Sequence, residues 1–189
     1  MSIISSGSYR LVQVLPLSYF LLHVRLDRPS TMYDWTQPYI IASALALIIS
    51  AVLILKRKTY APAFVGINVY FLFGGLALVA HWDTINLLYG KLEGAVMMLW
   101  IVAVVGIGNC IQPKWSLELT QDQIKKENTP SHWRRHAWLL FSFYVLCTGL
   151  TIFIINNTAS VILREFLPFI ILFTGAAFIK HHSLKLPIS

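Results

Sequence analysis

The hydrophobic residues of this chain occur in long runs that are separated by short polar or basic segments. As a helix, a run of about 20 apolar residues matches the roughly 30 Å thickness of the hydrocarbon core of a bilayer. None of the five longest runs has a charged residue in its middle. We therefore predict five membrane-spanning helices, at Tyr39–Leu55, Ala61–His81, Gly94–Ile111, Ala137–Ile155 and Phe166–Ile179.

A sixth apolar run, Leu11–Val24, is too short for an ordinary span and contains Pro16. A proline inside a helix removes a backbone hydrogen bond and bends or ends the helix. Arg10 and Arg25 bracket the run. The segment fits an interfacial position, a re-entrant position or a sixth span, and we favour partial insertion over full crossing.

These runs predict an all-α, polytopic helical membrane protein. Only helices and closed barrels satisfy every backbone polar group in lipid, and continuous apolar runs do not have the alternation of barrel strands. The connections are short except for residues 112–136, so no soluble catalytic domain fits between the spans. We expect a single membrane domain over residues 1–189.

Composition agrees with the membrane assignment. Hydrophobic residues make up 57% of the chain and charged residues 12%, whereas a soluble domain carries about 25% charged residues. The net charge of +7 does not indicate nucleic-acid binding, because the basic residues lie between apolar runs rather than along a soluble face.

Basic residues between the runs predict orientation. Lysine and arginine concentrate in residues 56–60, in residues 112–136 and in the C-terminal tail, three regions that share a side if five helices alternate. Short loops rich in these residues remain in the cytoplasm. The C-terminus is therefore expected to be cytoplasmic, and the side of the N-terminus depends on whether the first run crosses.

Small residues recur within the predicted spans, for example Ala42, Ala46 and Ser50, and the pair Gly74-Gly75. Small side chains allow helix backbones to approach closely, so we interpret them as packing positions. A substrate path lined by glycines is the alternative. The deep amide of Asn68 should face another helix, where it finds a hydrogen-bond partner.

Charged residues of alternating sign gather at the predicted outer ends of the spans. Most groups at such positions are simply solvated at the headgroup level, but charge placed against apolar runs is costly and often functional. A short loop between the second and third spans should hold several of them close together. The candidate interaction surface consists of His81, Asp83, Lys91, Glu93, Arg164 and Glu165.

Four histidines invite a metal or haem interpretation: His132, His136, His181 and His182. The first two flank Arg134-Arg135, which repel a cation, and no carboxylate stands at ligand spacing. No nucleophile with an adjacent base and no phosphate-binding or metalloprotease motif is present. We therefore predict no catalytic residues, no metal site and no cofactor.

Several short motifs occur in an order that is typical of one family. They are Val14-Leu15-Pro16-Leu17 with Tyr19-Phe20, Phe73-Gly74-Gly75-Leu76-Ala77-Leu78 followed by His81, Asp83 and Lys91, Arg135-His136-Ala137-Trp138 with Phe141 and Phe143, and Phe178-Ile179-Lys180-His181. In this order they resemble the intracellular septation protein A family, the YciB-type inner membrane-spanning proteins.

The resemblance implies a multi-pass protein of the bacterial inner membrane that acts in cell-envelope integrity, membrane homeostasis and septation. It implies partners among membrane lipids and other envelope or division membrane proteins, and no reaction. His81, Asp83 and Lys91 match a family motif that has no assigned role. The alternative is a small transporter or channel subunit, which is usually marked by ionisable residues or broken helices within the membrane.

Overall fold

The structure, a computed structural model, describes residues 6–27, 34–56, 60–92, 94–117, 130–158, 163–164 and 166–183. Within these ranges all regular secondary structure is helical, so the predicted all-α fold class is confirmed. The helices are α1 (Ser6–Asp27), α2 (Thr36–Leu55), α3 (Pro62–Val79), α4 (Asp83–Leu92), α5 (Gly94–Ile111), α6 (Pro113–Ser116), α7 (Pro130–Asn157) and α8 (Leu167–Ser183).

Four helices are long and apolar enough to cross a membrane: α2, α3, α5 and α7. They coincide with the first four predicted spans, and α5 matches its predicted bounds at both ends. The fifth predicted span corresponds to α8, whose apolar stretch Leu167–His181 belongs to the shorter apolar helices. Several apolar helices of this kind are consistent with a multi-pass membrane protein.

The N-terminal apolar run forms part of α1, a helix of 22 residues that continues through Pro16. This helix packs against α2 and α3, and Pro16 is buried. Gln13 is also buried, and its side-chain oxygen accepts a hydrogen bond of 3.1 Å from the backbone N–H of Ala61. Tertiary contacts thus support a helix that extends beyond both ends of the apolar run.

The chain divides into two compact units, Met1–Lys91 and Leu92–Ser189. In the first unit, α2 and α3 pack closely because small residues line their contact. Ala42 and Ala46 have no exposed surface, and a β-carbon on Gly75 would lie 2.7 Å from the hydroxyl oxygen of Ser43. The predicted packing role of these small residues is confirmed.

In the second unit, α7 packs against α5 on one side and α8 on another, and α6 contacts both α5 and α7. Gly106 of α5 faces the ring of Phe141, and Gly175 of α8 faces the ring of Phe143. Phenylalanine rings of α7 therefore occupy the space that a side chain would need at each glycine.

The long helices also expose many large apolar side chains. A soluble protein rarely exposes apolar surface over more than a few hundred Å² in one patch. Because these side chains lie along the candidate spans, we interpret the exposed apolar surface as lipid-facing. Examples are Leu47, Ile48 and Leu55 of α2, Ile107 and Ile111 of α5, and Leu146 and Phe153 of α7.

Candidate functional site

The C-terminus of α3 ends in a Schellman turn centred on His81. The backbone N–H of Trp82 donates to the carbonyl of Ala77 at 2.9 Å, and that of His81 donates to Leu78 at 3.3 Å. His81 has a φ of 54°, the left-handed conformation that this turn requires. Glycine usually occupies the position because a β-carbon is strained there. The imidazole is exposed.

The segment after this turn is the helix α4 rather than the expected short loop. Asp83 begins α4, and Lys91 lies in its last turn. Eight residues of helix separate their Cα atoms by about 12 Å along the axis, so the expectation that a tight loop holds them side by side is wrong. Each charge instead complements the macrodipole of α4, with the acid at the N-terminus and the base at the C-terminus.

Of the four predicted surface residues whose side chains the structure describes, three lie on the turn after α3 and on α4. His81, Asp83 and Lys91 are all exposed on the turn and on α4. Arg164 lies in the second unit, where it is half-buried. Glu93 and Glu165 lie outside the described residues.

Polar and aromatic contacts fix α4 on the first unit. The side-chain amide of Asn86 donates to the carbonyl of Ala77 at 3.1 Å. Tyr89 is buried, and its ring stacks on Tyr70 with a centroid distance of 5.1 Å and an interplanar angle of 9°. The hydroxyl of Tyr70 forms a hydrogen bond with that of Tyr39. The helix is therefore held by its buried face.

The opposite side of α4 presents both charged and apolar side chains. Leu87 and Leu88 are exposed at 74% and 47%, and Trp82 is exposed at 45%. We call the exposed set His81, Trp82, Asp83, Leu87, Leu88 and Lys91 the α4 surface. Such a mixture suits the headgroup region of a bilayer or a membrane-protein partner, since both present polar and apolar groups together.

A second polar cluster lies where α2 ends and α3 begins. The amide nitrogen of Asn68 donates to the hydroxyl of Ser50 at 3.3 Å and also to the hydroxyl of Tyr60. The prediction that Asn68 faces another helix is confirmed. Its side-chain oxygen is buried and has no hydrogen-bond partner.

Tyr60, the third member of this cluster, lies in the connection between α2 and α3. Burial raises the pKa of its phenol from the ordinary 10.0, and hydrogen bonds with Ser50 and Asn68 partly oppose the rise. Desolvation disfavours the charged phenolate, whereas donors to the oxygen favour it. The direction of the net change shows that burial outweighs the two hydrogen bonds.

A third cluster, which the sequence did not reveal, lies where α5 ends and α7 begins. The ammonium of Lys114 lies 4.2 Å from the ring centroid of the buried Trp133, a cation–π contact. The amide nitrogen of Asn109 donates to the carbonyl of Ala137 at 2.8 Å. The remaining oxygen of Asn109 and the hydroxyl of Ser116 are buried and have no hydrogen-bond partner. Pro113 at the first position of α6 is the one sequence signal for this turn.

Of the four histidines considered for metal binding, the structure describes the side chains of two. His136 is half-buried on α7, His181 is exposed on α8, and the side chains of His132 and His182 lie outside the description. Among the described residues, no group of three histidine, cysteine or acidic side chains could hold a metal ion. Cys110 and Cys147 are free.

Comparison with known proteins adds no family assignment to this geometry. The contacts above define three places where polar groups meet the apolar helices: the α4 surface, the Ser50–Tyr60–Asn68 cluster and the Lys114–Trp133 cluster. No family model, curated protein or solved structure matches the chain.

Proposed function

We propose that this chain is a non-catalytic, multi-pass protein of the bacterial inner membrane that maintains the cell envelope and septation by binding other membrane proteins. The observation that carries the proposal is the α4 surface. It combines a fixed backbone with exposed charged and apolar side chains, and it lies directly beyond the end of the candidate span α3.

A fixed helix is suited to binding because little backbone entropy is lost on association. The backbone of α4 is positioned by the turn at His81, by the Asn86–Ala77 hydrogen bond and by Tyr89 stacked on Tyr70. Among its exposed side chains, Trp82 also packs against Phe73 of α3 at a ring-centroid distance of 6.1 Å. The side chains of Asp83, Leu87 and Lys91 can therefore be varied without removing these contacts.

The resemblance to the intracellular septation protein A family supports the same surface. The motif residues Gly74 and Gly75 lie in the close contact of α3 with α2. His81 and Asp83 form the turn and the start of α4, and Lys91 lies in its last turn. The residues of this one motif thus lie along the end of α3, the turn and α4.

We further propose five or six crossings with the C-terminus in the cytoplasm. The 22 residues of α1 give a helix of about 33 Å at 1.5 Å per residue, and its apolar stretch, Val12–His23, belongs to the shorter apolar helices. Its packing against α2 and α3 supports a sixth crossing over partial insertion. The positive-inside distribution of lysine and arginine supports the orientation.

The test is complementation in a bacterium that lacks the protein. The double variant His81→Ala, Asp83→Ala should lose complementation of the envelope defect while its abundance in the membrane stays at the wild-type level. Asp83→Asn alone should give the same loss, because it removes the charge with little change in shape. Asp34→Asn is the matched control, since it removes an exposed carboxylate just before α2, at the same end of the first unit.

Full complementation by His81→Ala, Asp83→Ala at normal abundance would contradict the proposal and leave these residues with a purely local role in the turn. Cross-linking from Leu87 replaced by a photoreactive residue gives a second readout. Capture of envelope or division proteins in the membrane supports the proposal, and capture of lipid alone contradicts it.

The Asn68 cluster favours a second candidate, a small transporter or channel subunit. A buried amide with an unpartnered oxygen in a candidate span suits a place where a hydrated ion or small polar substrate pauses. Reconstituted protein would then carry protons or sodium ions across vesicles, and Asn68→Leu would abolish the flux. No flux above that of empty vesicles under either gradient would contradict this candidate.

A further inference from the structure

Lysine and arginine side chains are concentrated at one end of the second unit. Beyond α5, the short helix α6 places the ammonium of Lys114 over the ring of Trp133. Arg134 and Arg135 follow Trp133 along α7, and both are exposed. Three cations are thus held at the point where α5 ends and α7 begins.

These cations have no acidic counterpart in the described part of the second unit. Residues 94–117, 130–158, 163–164 and 166–183 contain no aspartate or glutamate. The acidic residues of the segment between α6 and α7, Glu118, Asp122 and Glu127, lie outside the described residues. Among the described side chains, the exposed charges at this end are basic, and basic side chains attract an anion.

The position of the cations matches the headgroup level of a bilayer. Trp138 lies one helical turn beyond Arg134, is exposed at 38%, and packs edge-on against Phe141 at a centroid distance of 5.3 Å. From Leu139 onward, α7 exposes large apolar side chains, including Leu146 and Phe153. Tryptophan is enriched where the apolar core of a membrane meets the headgroups, so Lys114 and the two arginines fall at the height of lipid phosphates.

Two buried polar atoms at this end lack partners. The hydroxyl of Ser116 and the side-chain oxygen of Asn109 form no hydrogen bond. The amide nitrogen of Asn109 donates a hydrogen bond to the carbonyl of Ala137. The atom of this amide that has no hydrogen-bond partner is therefore the oxygen. Of the two, only the hydroxyl of Ser116 can donate to a phosphate oxygen, because an amide oxygen is solely an acceptor.

We propose that Lys114, Arg134 and Arg135 bind the phosphates of anionic phospholipids around the start of α7, and that Trp133 positions the ammonium of Lys114. The three cations face different sides of α7, because successive helix residues are about 100° apart. Guanidinium groups pair with phosphate oxygens through two parallel hydrogen bonds, and an ammonium adds a compact charge. Basic groups between helices at a membrane face bind anionic headgroups in this way. The inference rests on the membrane placement of α5 and α7 and is independent of any envelope partner.

The test uses the full chain purified into nanodiscs of phosphatidylcholine and titrated with phosphatidylglycerol, with bound lipid measured by native mass spectrometry. The variant Arg134→Gln, Arg135→Gln should bind phosphatidylglycerol about 25-fold more weakly, at about fivefold for each cation removed. The control Lys56→Gln removes one exposed cation and should change binding less than about twofold, whereas Arg134→Gln alone should weaken binding about fivefold.

In a third experiment, the purified protein is titrated with inorganic phosphate and its thermal unfolding temperature is measured. Stabilisation by phosphatidylglycerol with no response to equal phosphate supports the lipid site. Stabilisation by inorganic phosphate alone would assign the cluster to a soluble anion and overturn the lipid proposal. Equal weakening by Lys56→Gln and Arg134→Gln would also overturn it, since binding would then follow overall charge. Because the measurement is made on purified protein, its failure is distinguishable from a failure of complementation.

Discussion

Gly74 lies directly against the ring of Tyr39. A β-carbon on Gly74 would approach Cε1 of Tyr39 to 2.6 Å and Cε1 of Tyr89 to 2.8 Å. Both rings are buried, so neither can turn away into open space. This contact joins α2, α3 and α4 at one point and makes glycine the residue that fits there.

Gly74→Ala should therefore destabilise the protein by about 1–3 kcal/mol, the usual cost of overpacking a filled core. Gly90→Ala is the matched control, because nothing lies within 4 Å of its β-carbon position on α4. It should stabilise the protein by about 0.4–1 kcal/mol through the lower entropy of the unfolded chain. Thermal unfolding of both variants in the same detergent measures the difference. Equal midpoints would mean that the rings rearrange freely.

Replacement of His81 should separate its backbone role from its side-chain role. His81→Gly should unfold at the same or a higher temperature than wild type, because a left-handed residue with a β-carbon is strained by about 1–2 kcal/mol. His81→Val should be clearly less stable, since a β-branched side chain fits this conformation worst. A His81→Gly protein that is much less stable than wild type would show that the imidazole, rather than the turn, holds this position.

Alkaline pH should weaken the connection between α2 and α3 through Tyr60. The folded-state pKa of Tyr60 is raised above 10.0 by burial, so the folded state favours the neutral phenol. This contribution to stability is fully present below pH 10.0 and is lost as the pH rises through the folded-state pKa. Tyr60→Phe should lose less stability than wild type over that alkaline range. Identical pH profiles of thermal unfolding would contradict the assignment.

Cysteine labelling should place Lys56 and Gly90 on opposite sides of the membrane. Lys56 ends α2 and Gly90 lies on α4, and the 18 residues of α3 separate them. An impermeant reagent added to intact cells should label Gly90→Cys and leave Lys56→Cys unlabelled until the cells are opened. Labelling of Lys56→Cys from outside would reverse the proposed orientation.

The four long spans could be predicted from the sequence because a span requires a continuous apolar run, which is a property of neighbouring residues. A run of apolar residues near the thickness of a bilayer must form a helix wherever it is inserted. The predicted and observed ends of α2 and α3 accordingly differ by three residues or fewer. The structure of the N-terminal run was harder to predict from the sequence, because packing against α2 and α3 supports the continuity of α1 through Pro16.

The helix α4 had a sequence signal that the charged residues obscured. Ile85, Tyr89 and Leu92 recur at the spacing of one helical face. Asp83 and Lys91 also follow the preference for acids at the start of a helix and bases at its end. The prediction of a short charged loop overlooked this helical spacing. It therefore placed Asp83 and Lys91 too close together.

Apolar run length and the need to satisfy the backbone act within each segment, so the all-α class and the long helices follow from the sequence alone. Which polar groups meet depends on how the helices pack. Asn68 finds Ser50, and Lys114 finds Trp133, across distant parts of the chain. Such pairs depend on the relative stagger of packed helices, which is set by close contacts such as that of Gly74 with Tyr39. Periodicity fixes the face on which a residue lies, whereas packing selects its partner.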